Sequence, residues 1–542
     1  MLHFLLLLVC CCYPPTSATI RTEGIWYRDE MNRTRLFHGV NYVTKNGNHL
    51  PNITSLEISR LTSLGANVVR LGVMIDGLFP TSATPDPNYL PAIRTIVDML
   101  WDAGIFSVLD LHQDVLSDKF CGEGVPAWMV NVSDLHAMPF PLPAAFTNVS
   151  KADDATGNYV PRPDCASRGL LKFIGWSQFY MTDASGKAWQ QLLHNESLVG
   201  QMIEVHWRMV AKYFKGHPGV LAYEMMNEPW VGDHVADPLL LLESGRAELK
   251  NVGPYMQRIH DAIRKVDNET MTLYAPAEVN NRFQRHGKVV VLEEHVVVFC
   301  CITLIDSSVI LFRPLFLFSL FSSFPLFLFP LFEVGYKKGF LPDSPMAFHV
   351  YCITGTDGPG PVTPITKDIC HFNDGFQLKN RRDDLKRLHT PGFVTEFGAV
   401  EDVVTGLAEI RFVLDHIDGE GEGMPLSWIF WDYNLVDRSS DTYRTELARS
   451  YPTAVAGTIL TFSFNVSTGH MALMYLPNSA TASTELYLSS KYQYKHGFNV
   501  VASPSGCCTV AVSKNGASIV VNHVPDAGAP IDLQVTRKSS KV

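Results

Sequence analysis

Between residues 36 and 433 the apolar positions fall into short, nearly continuous runs, separated by longer stretches whose apolar residues recur three and four apart. The runs are 36–43 (LFHGVNYV), 67–73, 106–112, 220–228, 271–277, 346–352, 392–398 and 425–433. A continuous apolar run suits a strand buried on both faces, whereas a strand with one wet face alternates. The helical stretches between them cover roughly 54–64, 88–103, 197–214, 240–266 and 405–418. Eight such strands alternating with helices predict a (β/α)8 TIM barrel over residues 22–450. After Tyr451-Pro452 the pattern shortens to alternating runs such as GHMALMYL and ASIVVNHV, punctuated by Gly, Ser and Pro. That pattern predicts a small antiparallel β-sandwich over 451–542.

Two segments break the alternation. Between Gln113 and about Glu196 no strand is evident, yet VPAWMV (125–130) and KFIGWSQFYM (172–181) are too apolar for a solvated linker. A long loop of this kind is expected to wall a site above the barrel. Residues 309–332, VILFRPLFLFSLFSSFPLFLFPLF, have the length and hydropathy of a membrane span. Arg313 and the prolines Pro314, Pro325 and Pro330 oppose a helix there. Phe, Leu, Ser and Pro share pyrimidine-rich codons, so residues from about 288 to 335 read as a retained intron.

The amino-terminal run MLHFLLLLVCCCYPPTSA reads as a signal peptide ending near Ala18. Seven Asn-x-Ser/Thr sequons, at Asn32, Asn52, Asn131, Asn148, Asn195, Asn268 and Asn465, agree with a secreted or lysosomal location. Outside the leader and the suspect segment lie Cys121, Cys165, Cys352, Cys370, Cys507 and Cys508, enough for three disulfides of undetermined pairing. The net charge of −10, without a basic tract, argues against a nucleic-acid partner.

Reactive side chains of such a barrel gather at the C-terminal strand ends. Reading those ends gives Asn41 and Lys45, Arg70, His112 and Asp114, Asn227 and Glu228, Glu278, His349 and Tyr351, Glu396, and Trp428 with Trp431. Glu228 and Glu396 each close an apolar strand, and two carboxylates are what cleavage of a glycosidic bond with retention requires. Asp110, His112 and Asp114 share one strand face but bring no third ligand strand, so no metal is expected. Glu224 reads as a paired structural acid, Trp428 as core and Glu278 as a rim contact. The 168 residues separating Glu228 from Glu396 exceed the roughly 95 that three strand–helix units typically use, and omitting the suspected intron restores about 120.

NEP (227–229), HVY (349–351), TEFG (395–398) and SWIFW (427–431), in this order on these strands, resemble the signatures of glycoside hydrolase family five. GVNYVTK (39–45), DLHQD (110–114) and YPTAVAG (451–457) resemble the endoglycoceramidases within it. The resemblance implies a retaining glycosidase without metal or other cofactor, with Glu228 as acid/base and Glu396 as nucleophile. From their chemistry, Asn227 is expected on the sugar 2-hydroxyl and Tyr351 on Glu396. Arg70 is expected to keep Glu396 ionised, His349 to steer Glu228, and Trp431 to floor the sugar. Similarity to the endoglycoceramidases gives Lys45, His112 and Asp114 the remaining glycan hydroxyls. The expected substrate is a glycosphingolipid, bound by a monomer in transient contact with a membrane or micelle. Three alternatives remain: a glucosidase for glucosylceramide or steryl glucoside, a polysaccharide glucanase or mannanase, and an inactive glycolipid binder.

Overall fold

The computed structural model describes residues 19–120, 122–130, 179–180, 182–278, 333–352, 362–363, 366–419, 424–478, 482–523 and 529–539, with the backbone of 289–292 and 295–298. Strands β1 (Arg21–Glu23), β2 (Trp26–Arg28) and β3 (Thr34–Arg35) precede the barrel strands β4 (His38–Tyr42), β5 (Val68–Gly72), β6 (Phe106–Asp110), β7 (Val220–Glu224) and β8 (Met271–Leu273). A backbone hairpin of β9 (Val289–Leu292) and β10 (His295–Val298) follows. The barrel resumes with β11 (Met346–Val350), β12 (Gly392–Phe397) and β13 (Ser427–Phe430).

All eight strands expected from the apolar runs are present and parallel, in the order β11-β12-β13-β4-β5-β6-β7-β8. Tyr274 closes the circle: it bridges to Met346, and its carbonyl accepts from Ala347 N at 2.9 Å. Strands such as β5 (VVRLG) and β7 (VLAYE) are buried at every position. Continuous burial follows from helices covering the outside while layered side chains fill the inside. The helices begin where capping chemistry permits. Thr54, for example, accepts from Leu56 N and forms a capping box with Glu57, and Gly65 ends that helix at φ 82°.

The tail forms two sheets. Strands β15 (Gly457–Asn465), β16 (His470–Pro477), β18 (Phe498–Ser503) and β21 (Ile531–Arg537) make one, in the order β15-β16-β21-β18. Strands β14 (Tyr451–Val455), β17 (Ser483–Tyr487), β19 (Cys508–Val512) and β20 (Ser518–His523) make the other. That second sheet also takes in β1, β2 and β3, because β3 pairs with β14. Residues 22–35, placed by the sequence reading in the barrel domain, therefore lie in the sheet of the tail. Their short, mixed runs carry no barrel pattern, and only the partner strand reveals their place.

Three further features differ from expectation. The long loop after β6 contains a helix, Asp183–Leu193, capped by Thr182. The 22-residue helix Lys367–Leu388 was not foreseen. Glu333 to Tyr336 are docked on the barrel: Arg387 donates to the carbonyls of Val334 and Tyr336 at 2.8 Å, and Ser244 to that of Glu333 at 2.8 Å. Residues 333–335, inside the stretch of about 288–335 read as a retained intron, are thus packed on the barrel. The rest of it, apart from the β9–β10 hairpin, lies outside the described residues, as do the leader, Cys121 and Cys165. Among the described residues no helix is long and apolar enough to cross a membrane. Cys352 and Cys370 form a disulfide, whereas the neighbours Cys507 and Cys508 are free thiols.

Candidate active site

Arg70 is the centre on which the strand tips converge. Its side chain is completely buried. Nε donates to Glu224 Oε2 at 2.6 Å, Nη1 to Glu396 Oε1 at 2.7 Å and to Asn41 Oδ1 at 3.0 Å. Nη2 donates to Asn227 Oδ1 at 2.8 Å and to Glu224 Oε1 at 3.1 Å, and lies 3.1 Å from Asp110 Oδ2. The planar fork thereby orients groups from four other strand ends at once. Burial opposes its charge, but Asp110, Glu224 and Glu396 outweigh that and hold the guanidinium protonated. Burial raises Glu224 against the pull of Arg70, in keeping with a structural acid that Thr395 Oγ1 also contacts at 3.3 Å.

The two expected catalytic carboxylates meet above this centre. His349 Nδ1 lies 2.7 Å from Glu228 Oε1 and 3.5 Å from Glu396 Oε2, and one oxygen of each acid lies within 4.8 Å of the other and of the ring. Tyr351 donates its phenol to Glu396 Oε2 at 2.9 Å. Glu396 thus receives one charged and one neutral donor, and Glu228 faces it across His349. Burial opposes protonation of His349, but the carboxylates of Glu396 and Glu228 raise its pKa above the ordinary value. Burial, then the Glu396 charge, lifts the Tyr351 phenol far above its normal range, so it remains a donor.

Glu228 sits in the left-handed region at φ 39°. A non-glycine residue there costs about 1–3 kcal/mol and persists only where neighbours fix it. Gln113 supplies that restraint: Nε2 donates to the carbonyls of Asn227 at 2.7 Å and Glu228 at 3.1 Å, while Oε1 accepts from Leu116 N at 2.7 Å. Its role escaped the sequence reading, although it stands inside DLHQD. The Asn227 amide, expected on substrate, is bound to the protein on both sides, accepting from Arg70 and donating to Gln113 O at 3.0 Å. One Nδ2 hydrogen is left over by this arrangement.

A second cluster adjoins the first. His112 connects them, its Nδ1 2.9 Å from Asp110 Oδ2 and its Nε2 3.5 Å from Asp114 Oδ2. Burial disfavours the imidazolium, yet hydrogen bonds to Asp110 and Asp114 raise its pKa to about 9. The Lys45 ammonium donates to Asp114 Oδ2, pairs with Glu123 Oε1 at 2.9 Å, and lies 5.0 Å from the Trp431 ring centre. His112 stacks on the same indole, with centroids 5.3 Å apart and planes at 17°. Lys45, His112, Asp114 and Trp431 are therefore brought together as expected. Glu123 was not foreseen. It adds a third carboxylate or imidazole atom within 4.8 Å of those of His112 and Asp114, where the strand-face reading had found none. Lys45 already supplies the positive charge for two of the three.

Glu278, expected at the rim, is 1 % exposed, with its backbone N–H on Pro229 O at 2.9 Å. Trp428 is core, stacked on His38 at 4.5 Å. A cavity of about 540 Å³ is lined by Leu116, Trp128, Met129, Val130, Leu198 and Val199 together with the polar Gln191, Glu196 and Ser197.

Residues 34–285 match the family model described as Cellulase (glycosyl hydrolase family 5), and 449–535 match the glycoside hydrolase family 5 C-terminal domain. The endoglycoceramidase of Cyanea nozakii is 27% identical, over 94% of this chain and 92% of that protein. That of Hydra vulgaris is 27% identical, over 88% and 81%. The structure of endo-glycoceramidase II from Rhodococcus sp. in complex with ganglioside GM3 shares the fold, with a TM-score of 0.66 and 19% identity over 95% of this chain and 99% of that one.

Proposed function

We propose, starting from the membership of this chain in glycoside hydrolase family 5, that it cleaves the β-glycosidic bond between the glycan and ceramide of glycosphingolipids. The observation that carries the reaction is the approach of Glu228 and Glu396 to within 4.8 Å. Retaining enzymes hold their carboxyl groups about 5–5.5 Å apart, whereas inverting ones need about 6.5–9.5 Å to admit water between them.

In the first step Glu396 attacks the anomeric carbon as Glu228 gives its proton to the departing ceramide oxygen. The C–O bond breaks and a glycosyl ester forms on Glu396. In the second step Glu228, now a carboxylate, takes a proton from water, whose oxygen displaces Glu396 and leaves the sugar with its original configuration. Arg70 and Tyr351 hold Glu396 for attack, since each donates to a different oxygen. His349 keeps Glu228 in reach of the leaving group. Lys45, His112, Asp114 and Trp431 take the glycan, with Asn227 on the 2-hydroxyl through its remaining hydrogen.

Substrate class is supported by two kinds of surface on the loop that follows β6. The charged cluster suits sugar hydroxyls, and the cavity beyond Leu116, lined by the Trp128 and Met129 side chains, suits an acyl or sphingoid chain. The names of the relatives point the same way. The enzyme works as a monomer in a secreted or lysosomal compartment and meets membranes or micelles only in passing. Sequon residues Asn32, Asn52, Asn268 and Asn465 are exposed, and the Cys352–Cys370 bridge suits an oxidising lumen.

The test is product analysis on lactosylceramide. Ceramide with intact lactose is expected. Free glucose or galactose as the first sugar released overturns the endo reading in favour of a glucosidase-type enzyme, and turnover of cellulose or mannan alone excludes a lipid substrate.

A further inference from the structure

Residues 121–124 read Cys-Gly-Glu-Gly, a stretch with no part in the reaction steps above. The chain at Glu123 runs back against Asp114: Asp114 N donates to Glu123 O at 3.1 Å and Glu123 N to Asp114 O at 2.7 Å. Both glycines are required for that approach. A Cβ on Gly122 would stand 1.9 Å from the Asp114 carbonyl oxygen, and Gly124, at φ +104°, would press its Cβ to 2.6 Å from that of His112. The Glu123 side chain is thus fixed beside the site by backbone geometry, and it is 6 % exposed.

Its partner is Lys45. An ammonium has three donors on a flexible stem. One carboxylate leaves the group free to turn about a single hydrogen bond. Asp114 accepts a hydrogen bond from it and Glu123 Oε1 stands 2.9 Å away as an ion-pair partner, so two carboxylates restrict where the ammonium can turn and which N–H is left for a ligand. With Lys45 over the Trp431 ring, that hydrogen belongs to the sugar side of the site.

We infer that Glu123 is a positioning residue of the glycan subsite: with Asp114 it grips the Lys45 ammonium so that one N–H is presented to a substrate hydroxyl. This rests on Lys45 belonging to the glycan subsite of the proposed function. Glu123 serves best as a neutral acid, because four neighbouring groups have to share limited charge. Burial pushes it up to about 8 against the pull of Lys45. Asp114, although burial opposes its charge, is held far below the usual carboxylate range by Lys45 and His112. A protonated Glu123 can accept from Lys45 with one oxygen and donate to Asp114 with the other. Pre-setting the lysine removes part of the ordering cost of binding.

The test compares Glu123→Ala and Glu123→Gln with wild type on p-nitrophenyl β-lactoside and on lactosylceramide. In Glu123→Ala, KM is expected to rise about tenfold, the scale of one charged hydrogen bond, with kcat within about threefold. Glu123→Gln, which imitates the neutral acid, is expected to keep the wild-type KM. Above pH 8 the wild-type KM is expected to climb while that of Glu123→Gln stays flatter; His112 titrates in both and cancels in the difference. A second readout is independent of turnover. Acetic anhydride labelling at pH 8, read by mass spectrometry, is expected to modify Lys45 slowly in wild type and several-fold faster in Glu123→Ala. Equal KM and equal Lys45 labelling in wild type and Glu123→Ala overturn the inference. Glucose released from lactosylceramide, with the labelling contrast intact, overturns the ceramide reading and leaves the grip on Lys45 standing.

Discussion

Arg70 and Lys45 both lie among carboxylates of the site, and they are built differently. Arg70 is fully buried and spends its fork on Asn41, Glu224, Asn227 and Glu396. Lys45 keeps 15% of its side chain exposed and pairs with two carboxylates. The contrast separates two tasks. A delocalised, rigid guanidinium suits fixing a charged framework, while a point charge with a spare donor suits meeting a ligand. His112 couples the two through Asp110 and Asp114.

The largest effects are expected on the framework side. Glu228→Gln should lower kcat/KM on lactosylceramide by about 10²–10⁴-fold, the span of general acid catalysis. The same variant should lose far less on a dinitrophenyl glycoside, whose leaving group needs no proton. Glu396→Gln should fail on both substrates. Equal losses of Glu228→Gln on the two substrates would remove it from the acid role.

Next comes the contrast itself. Arg70→Lys breaks a buried charged network and should cost about 3–5 kcal/mol in urea unfolding. Lys45→Met should cost less than about 2 kcal/mol and act chiefly on KM. Matching losses of stability would erase the distinction between framework and ligand cation.

The link between the clusters titrates. The pKa of His112 is raised in the fold from 6.5 to about 9. A raised value means that the folded state holds the proton more tightly, so its contribution is complete below pH 6.5 and fades as pH climbs through 9. The contribution is about 3 kcal/mol. Urea midpoints measured from pH 6 to 10 should fall in wild type and stay flatter in His112→Gln. Parallel curves would place the imidazole outside the network.

The smallest effect is expected from removing the foreign segment. A chain lacking residues 288–332 should keep the fold and the activity, because Glu278 on one side and Glu333 to Tyr336 on the other are already docked. Loss of folding on deletion, or a mature transcript that retains the stretch, would show it to be part of the protein.

The eight barrel strands were legible because burial on two faces writes an unbroken apolar run, and strand ends point their polar residues at the chemistry. Glu228, Glu396, Arg70, His349 and Tyr351 were named as candidates by that rule, the roles of Glu228 and Glu396 by the family resemblance, and the structure brings the five together. The helix Lys367–Leu388 was not legible for the opposite reason. Its buried face includes Asp374, Arg381, Arg382 and Asp384, with Arg381 paired to Asp384 at 3.2 Å and Arg382 donating to Met424 O at 3.1 Å. A buried face in which charged residues interrupt Leu378, Leu385 and Leu388 leaves little apolar period to read. Glu123 was hidden differently, since its place depends on a chain reversal between two glycines.

The pairing of β3 with β14 has a consequence for how the molecule comes apart. The opening strands lie in the sheet that the closing hundred or so residues complete, and Tyr451 Oη ties that sheet to Gly65 O at 2.8 Å. Neither half can be peeled away without unzipping the other, so scanning calorimetry should record a single heat-absorption peak, and severing the polypeptide near residue 450 should leave the pieces clasped together.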